Sequence, residues 1–243
     1  MEFVIPENSN FGFSGKSPDE IKEDECTLVA IAEDVSPSTY DVRNQMCEGK
    51  KIVNLACKKS PRSDKLMIQY TRFGSYIEED HGFKPVNEID ENDYKPSHTI
   101  GGSTCLYDAV FNSLAAIQTY AEVLDKSDIG TNGIVFVYTD GMDNASTLGP
   151  QSIKDKLEEI KMKEILESIK IIVIGFYDIK SSYSNDIKQY LDNFVKEIGL
   201  DQFIDVGQMT PGQAAKVFGF VSQSISSQSQ HLGTGGPSQN LTF

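Results

Sequence analysis

The sequence predicts an α/β fold: a doubly wound, mostly parallel six-stranded sheet with one antiparallel edge strand and helices on both faces. Two observations predict it. The apolar runs Thr27 to Ala32, Gly133 to Thr139 and Ile171 to Phe176 have strand length and no polar alternation, as strands buried on both faces require. Between them lie segments whose apolar residues recur every three, four or seven positions, the period of a helix with one buried face. Strands alternating with helices give a parallel sheet, and right-handed crossovers place every strand-to-helix loop on one edge of it. At 243 residues the chain can bury the core of one such domain.

In chain order, residues 1–24 are polar and rich in Asn, Ser, Gly and Pro, and are expected to be a loosely ordered lead-in; the domain proper spans 25–227. The first strand ends at Glu33-Asp34. Val42, Met46, Val53 and Ala56 then share one face of a helix over about Tyr40 to Lys58. Leu66 to Phe73 is the second strand, and a short third strand over Tyr76 to Phe83 returns from it through Gly74-Ser75 as a hairpin. Residues 84–103 carry Pro85, Pro96 and the Gly101-Gly102 pair and read as a long loop, a feature that tends to be functional or disordered. Leu106, Val110, Leu114, Ile117, Ala121 and Leu124 stripe a second helix, and Gly133 to Thr139 is the next strand. Ile153, Leu157 and Ile160 mark a third helix, and Ile171 to Phe176 a fifth strand. Ile187, Leu191, Phe194 and Ile198 mark a fourth helix, Gln202 to Val206 a short edge strand, and Ala214, Phe218, Val221 and Ile225 the last helix. Residues 228–243 are a Ser/Gln/Gly-rich tail, read either as disordered or as an arm whose end, Asn240 to Phe243, adds to a sheet edge.

Composition excludes several classes of function. A formal net charge of −14 repels phosphate backbones, so no nucleic-acid partner is expected. No apolar run approaches the roughly 20 residues of a membrane helix, and the first residues lack a basic segment followed by an apolar one. Cys26, Cys47, Cys57 and Cys105 have no CxxC spacing and read as reduced thiols of a cytoplasmic protein. No GxxxxGK[ST] loop is present, which removes a P-loop nucleotide site. His81, His98 and His231 are not spaced as ligands, and Glu78-Glu79-Asp80 reads as a solvated face.

Three segments carry the candidate chemistry: Asp34-Val35-Ser36-Pro37-Ser38, Gly101-Gly102-Ser103-Thr104 and Thr139-Asp140-Gly141. Asp34 and Asp140 supply carboxylates, Ser36, Ser38 and Thr104 hydroxyls, and no imidazole or thiolate is among them. Oxygen-only donor sets suit hard dications, so these five residues are the expected ligands of Mg2+ or Mn2+, with Ca2+ as the alternative. Residues 34, 36 and 38 point the same way along an extended loop, and Pro37 disfavours helical geometry at Ser36. In a doubly wound sheet, ligands bind beyond the carboxyl ends of the strands where the strand order reverses. Two carboxylates neutralise the ion, and a coordination position left open would take a carboxylate from a partner protein.

The pattern resembles the von Willebrand factor A domain and its metal-ion-dependent adhesion site, MIDAS. That family carries Asp-x-Ser-x-Ser after its first strand, a Thr in a Gly-rich loop, and an Asp in a Thr-Asp-Gly-like turn, which match Asp34, Ser36, Ser38, Thr104 and Asp140. Residues 101–109 are similar to the family's Gly-Gly-Thr-Pro-Leu-Tyr-Asp-Ala stretch with one residue inserted, and the resemblance covers about 26 to 227. It implies a Rossmann-like fold and a non-enzymatic adaptor or scaffold role in metal-dependent protein–protein recognition. The cysteine pattern is similar to the intracellular bacterial and archaeal branch, including tellurium-resistance-associated members. Pro37 replaces the usual Gly between the two serines, and Glu33 stands where an apolar residue is usual; Glu33 is expected to face solvent or to adjust the charge of the site. Asp108, Asp143 and Asn144 read as turn and helix-start residues.

Two other functions are compatible with an Asp at a strand end. A haloacid-dehalogenase-like, Mg2+-dependent phosphohydrolase would use Asp34 as nucleophile. That chemistry needs a proton donor two residues later, where this chain has Ser36, a poor acid at neutral pH. A metal-free structural domain of the same fold is the other alternative.

Overall fold

Hydrophobic burial sorts the chain into a central sheet with a helical layer on each side. The structure, a computed structural model, describes residues 2–6, 11–234 and 240–243. Its strands are β1 (Glu2–Val4), β2 (Phe13–Gly15), β3 (Glu25–Asp34), β4 (Leu66–Phe73), β5 (Ile77–Pro85), β6 (Gly130–Thr139), β7 (Leu166–Phe176) and β8 (Gln202–Gly207), and its long helices are α1 (Arg43–Lys58), α2 (Leu106–Asp125), α3 (Pro150–Lys163), α4 (Ser184–Ile198) and α5 (Pro211–Thr234). The strands form one sheet in the order β1-β2-β5-β4-β3-β6-β7-β8. β3 pairs in parallel with β4 on one side and β6 on the other, and β7 and β8 continue the parallel run.

β3 shows why this sheet forms. Nine of its ten residues are buried, so it has no solvent face and must be covered on both sides. Its even positions Leu28, Ala30 and Ala32 pack with α2, α3 and α4. Its odd positions Val29 and Ile31 pack with α1 and α5.

The six-stranded sheet with an antiparallel strand at its edge is corrected to eight strands. β5 is antiparallel to β4, as a hairpin requires, but it lies inside the sheet because β2 pairs with its outer side. β1 and β2 come from the polar lead-in and form an antiparallel hairpin. Aromatic packing holds them: Phe13 meets the rings of Phe83 at 5.8 Å and Tyr120 at 6.1 Å, both edge-on. Ser14, on the opposite side of the strand, donates from its N–H (3.0 Å) and its hydroxyl (2.8 Å) to Glu79.

The first helix starts at Arg43, after a 3-10 turn over Pro37–Val42. Residues 86–100 hold two further 3-10 turns and strap the sheet beside β5; Ile89 and Tyr94 are buried beneath α1. α5 runs through the expected start of the tail to Thr234. Residues 235–239 of that tail lie outside the described residues, and Asn240–Phe243 form no strand; Leu241 packs on the core and Phe243 meets Phe220 edge-on at 5.7 Å. Cys26, Cys47, Cys57 and Cys105 are free and buried. Among the described residues no helix is long and apolar enough to cross a membrane.

Candidate metal centre

The strand order reverses between β3 and β6, because the chain turns to β4 on one side of β3 and to β6 on the other. This is where a doubly wound sheet opens a crevice. The parallel register sets Glu33 beside Tyr138, so the strands end together at Asp34 and Thr139. Asp140 is the first residue past the end of β6.

Asp34 is 1% exposed. The Ser36 N–H donates to its Oδ1 at 2.9 Å and the Thr139 hydroxyl donates to its Oδ2 at 2.7 Å. Ser36 Oγ lies 3.1 Å from Ser38 Oγ, and the Ser38 hydroxyl donates to Asp140 Oδ1 at 2.9 Å. Asp34, Ser36, Ser38 and Asp140 thus form one continuous oxygen cluster across two chain segments. Thr139 extends it and was not singled out from the sequence as a site residue. Its signal was the parallel pairing itself, which sets the last residues of two neighbouring strands side by side.

Thr104 is buried at the same edge. Its backbone is tied to the turn that carries Asp140: the Thr104 N–H donates to Asn144 Oδ1 at 2.7 Å, and the N–H groups of Asn144 (3.0 Å) and Ala145 (3.2 Å) donate back to its carbonyl. Among the described residues the Thr104 hydroxyl makes no hydrogen bond to the four clustered residues. The loop before it is pinned to the β4–β5 turn through Ser75 N–H to Ile100 O and Cys105 N–H to Gly74 O, both 2.8 Å. Glycine is needed twice here. A Cβ on Gly74 would lie 2.1 Å from the Ile100 carbonyl, and Gly101 has φ +67° with Ser75 Oγ 2.1 Å from where its Cβ would be. Asp108 and Asp143 hold the adjoining turns: Asp108 accepts from the Thr147 and Leu148 N–H groups at 3.0 and 2.9 Å, and Asp143 accepts from the Ser146 hydroxyl at 2.5 Å.

The electrostatics of the cluster are unfavourable as they stand. Burial raises the carboxyl of Asp34 above its ordinary range, against the hydrogen bonds from Ser36 and Thr139 that favour the anion. Burial, and then repulsion from Asp34, raises Asp140 to about 7. Among the described residues no Lys, Arg or His pairs with either acid. Cys105, next to Thr104, is pushed up to about 12 by burial and by the surrounding carboxylates, so it is an inert thiol.

Glu33 behaves differently. It is 2% exposed, not solvated, and forms an ion pair with Lys50 of α1. Lys50 also pairs with Asp80 at 3.1 Å, and Asp80 with Arg72 at 2.5 Å. Burial would lower the Lys50 ammonium, but Glu33 and Asp80 outweigh it and hold the group up. The acidic patch 78–80 keeps partial exposure and is also ion-paired: Asp80 and Glu78 pair with Arg72, and Glu79 caps β2. His81 belongs to β5, is held down to about 4 by burial, and shares a 2.8 Å hydrogen bond with the Tyr94 hydroxyl.

The donor chemistry fits a hard dication: one buried and one half-buried carboxylate, without cationic partners among the described residues and with hydroxyl oxygens between them. Among the described residues no group of three or more His, Cys, Asp or Glu is placed to hold a metal, so any site here depends on the hydroxyls.

No protein-family model matches the chain, and no curated protein matches it in sequence. Solved structures do resemble it. The pilus adhesin SpaC from Lactobacillus rhamnosus GG aligns with a TM-score of 0.59 at 9% identity, over 84% of this chain and 30% of the adhesin. The PilB minor pilin from Streptococcus sanguinis aligns with a TM-score of 0.57 at 13% identity, over 90% of this chain and 65% of the pilin. Proximal thread matrix protein 1 from the mussel byssus aligns with a TM-score of 0.53 at 16% identity, over 83% of this chain and 46% of that protein. A further structure of the mussel protein has a zinc-occupied MIDAS motif. The chain therefore spans less than two thirds of the length of each. The likeness is one of fold, and it supports a von Willebrand factor A-like fold.

Proposed function

We propose that this chain is a metal-dependent protein-interaction module, a cytoplasmic adaptor rather than an enzyme. Asp34, Ser36, Ser38, Thr104 and Asp140 hold Mg2+ or Mn2+, and a partner protein supplies a carboxylate to the same ion. The observation that carries this reading is the meeting of a buried and a half-buried carboxylate that no cation among the described residues neutralises. Burying such a pair is costly, and a bound dication offsets that cost. The zinc-occupied MIDAS motif of the mussel protein supports divalent occupancy on this fold. Four free cysteines support a reducing compartment. The bound ion supplies a Lewis-acidic point of attachment for an anionic group. Around it, Thr139 and the Ser36 N–H fix the orientation of Asp34, and the Asn144–Thr104 bonds hold two loops at a set separation. A binding role suits position 36, where a hydroxyl bonded within the cluster stands in place of a carboxyl proton donor.

Thermal unfolding with increasing Mn2+ or Mg2+ tests the reading. The wild-type chain should gain stability with metal, by about 2.7 kcal/mol at a hundredfold excess over Kd, and Asp140→Ala should gain none while remaining folded. A transition unmoved by either ion would refute the metal site.

A further inference from the structure

The two faces of the sheet are covered unequally. α2, α3 and α4 pack on one. The other carries α1 and α5, and α5 lies mainly over β3 and β6. Beside α5, the outer strands β7 and β8 turn Lys170, Ile172, Ile174, Gln202 and Ile204 to that same face. Residues 240–243 lie in the trough at these outer strands.

The trough reads three of the four residues. Lys170, 6% exposed, donates to Asn240 Oδ1 at 2.7 Å, and Asn240 Nδ2 donates to the Asp201 carbonyl at 3.2 Å. A carboxamide supplies an acceptor and a donor at once, whereas a carboxylate would set oxygen against oxygen at Asp201. Gln202 Nε2 donates to the Leu241 carbonyl at 3.0 Å, a main-chain contact open to any residue type. The Leu241 side chain packs on the core, and Phe243 meets Phe220 edge-on.

The fourth position is unread, and the trough is incompletely filled. Gln202 Oε1 is buried and accepts no hydrogen bond among the described residues. A cavity of about 510 Å3 remains between Thr242 and Phe243 on one side and α5 on the other. Its α5 wall is apolar at Phe220 but polar at Gln213, Lys216 and Gln223. Neither Lys216 nor Lys170 forms an ion pair among the described residues. Burial lowers the Lys170 ammonium, and the more distant Asp201 works against that. Two lysines without ion pairs thus serve one trough in a chain of net charge −14. That charge favours an acid over a base at the position of Thr242, with a side chain long enough to cross the cavity to Lys216.

We propose that the trough between α5 and β8 docks an extended protein segment with a carboxamide, a bulky apolar, an acidic and an aromatic side chain in successive positions, and that residues 240–243 are its tethered occupant, which such a segment displaces. Occupant and partner differ at one place, where glutamate replaces Thr242. A tethered segment competes at an effective concentration on the order of mM, so the partner needs that added contact. The anchor of the segment is at the start of β8, on the edge of the sheet opposite Asp34 and Asp140. The site therefore goes beyond the metal-bridging function and works without the ion.

The test uses the full chain carrying Leu241→Ser and Phe243→Ser, which unseats its own segment, and three labelled, C-terminally amidated peptides: Ser-Gln-Asn-Leu-Glu-Phe and the same sequence with Thr or Lys in place of Glu. The Glu peptide should bind about tenfold tighter than the Lys peptide, with Thr between them. Lys216→Ala should abolish that preference, EDTA should leave it unchanged, and the wild-type chain should bind the Glu peptide more weakly than the unseated one. A second measurement does not depend on the unseated chain. Thr242→Glu should have a higher Tm than Thr242→Lys, although the net charge of −14 by itself favours the added lysine. Equal affinity for the Glu and Lys peptides, no binding to an unseated chain that still unfolds cooperatively, or a Tm order that follows net charge would overturn the proposal. Equal binding to the wild-type and unseated chains would remove residues 240–243 as the occupant and overturn it as well. Loss of peptide binding in EDTA would place the peptide at the metal centre instead, and a missing Mn2+ response with peptide binding intact would count against the metal function alone.

Discussion

Glu33 and Asp34 are consecutive, both almost fully buried, and treated in opposite ways. Glu33 faces the α1 layer and is neutralised by Lys50, which Asp80 and Arg72 join in a chain of alternating charge. Asp34 faces the other layer and, among the described residues, meets only neutral donors, Ser36 and Thr139, and a second acid, Asp140. A buried carboxylate that serves only the fold is expected to have a cation of the protein beside it, since the penalty for an unpaired charge is several kcal/mol. One residue apart, the chain meets that requirement on one face of the sheet and leaves it unmet on the other. The contrast separates a structural acid from a ligand-binding one by what surrounds each.

The largest effect should come from breaking the neutralised side. Lys50→Met leaves Glu33 and Asp80 without their shared cation and should cost about 3–5 kcal/mol of unfolding free energy in urea. Adding Glu33→Gln to that change should restore a substantial part of it, because a neutral amide needs no counter-charge. If Lys50→Met costs no more than a surface substitution, the charge network is not structural and the contrast with Asp34 fails.

On the unneutralised side the sign reverses. Asp140 is raised to about 7, against an ordinary value of 3.8. Between those values the folded chain binds a proton that the unfolded chain has released, so stability from this group falls as pH rises through about 7. In EDTA at pH 8, Asp140→Asn should therefore be more stable than the wild type, by about 2 kcal/mol, and should lack the wild-type response to Mn2+. The same proton competes with the ion. Mn2+ affinity of the wild type should weaken as pH falls below about 7, by at most about tenfold per unit for one displaced proton. An Asp140→Asn variant less stable than the wild type in EDTA at pH 8 would mark Asp140 as a structural acid.

Much of this arrangement was legible in the sequence, for identifiable reasons. The doubly buried strands read as continuous apolar runs because β3, β6 and β7 have no solvent face. Asp34 and Asp140 stood out because each breaks such a run at its end. What escaped was non-local. The β1–β2 hairpin depends on Phe13 reaching Phe83 and Tyr120, contacts that three-residue strands do not announce. Glu33 was read outward because its partner Lys50 occupies a helix position that the apolar stripe of α1 passes over. Thr139 became visible only when the pairing of β3 with β6 set it opposite Asp34.

The smallest effect sharpens the comparison most, because it separates a ligand oxygen from a hydrogen-bond donor. Ser38 is exposed and bonds to Asp140 and Ser36. If its hydroxyl mattered only to the fold, Ser38→Ala would remove a surface hydrogen bond, change stability in EDTA by no more than about 0.5 kcal/mol and leave Mn2+ affinity unchanged. As a ligand, the same change should leave stability in EDTA alone and weaken Mn2+ binding roughly tenfold, the lower end of what loss of a group at a metal site costs. Ser38→Thr, which keeps the oxygen, should bind Mn2+ more tightly than Ser38→Ala. Calorimetric titration of the three chains in parallel reads all of these differences, and equal Mn2+ affinity across them would remove Ser38 from the ion while leaving Asp34 and Asp140 to hold it.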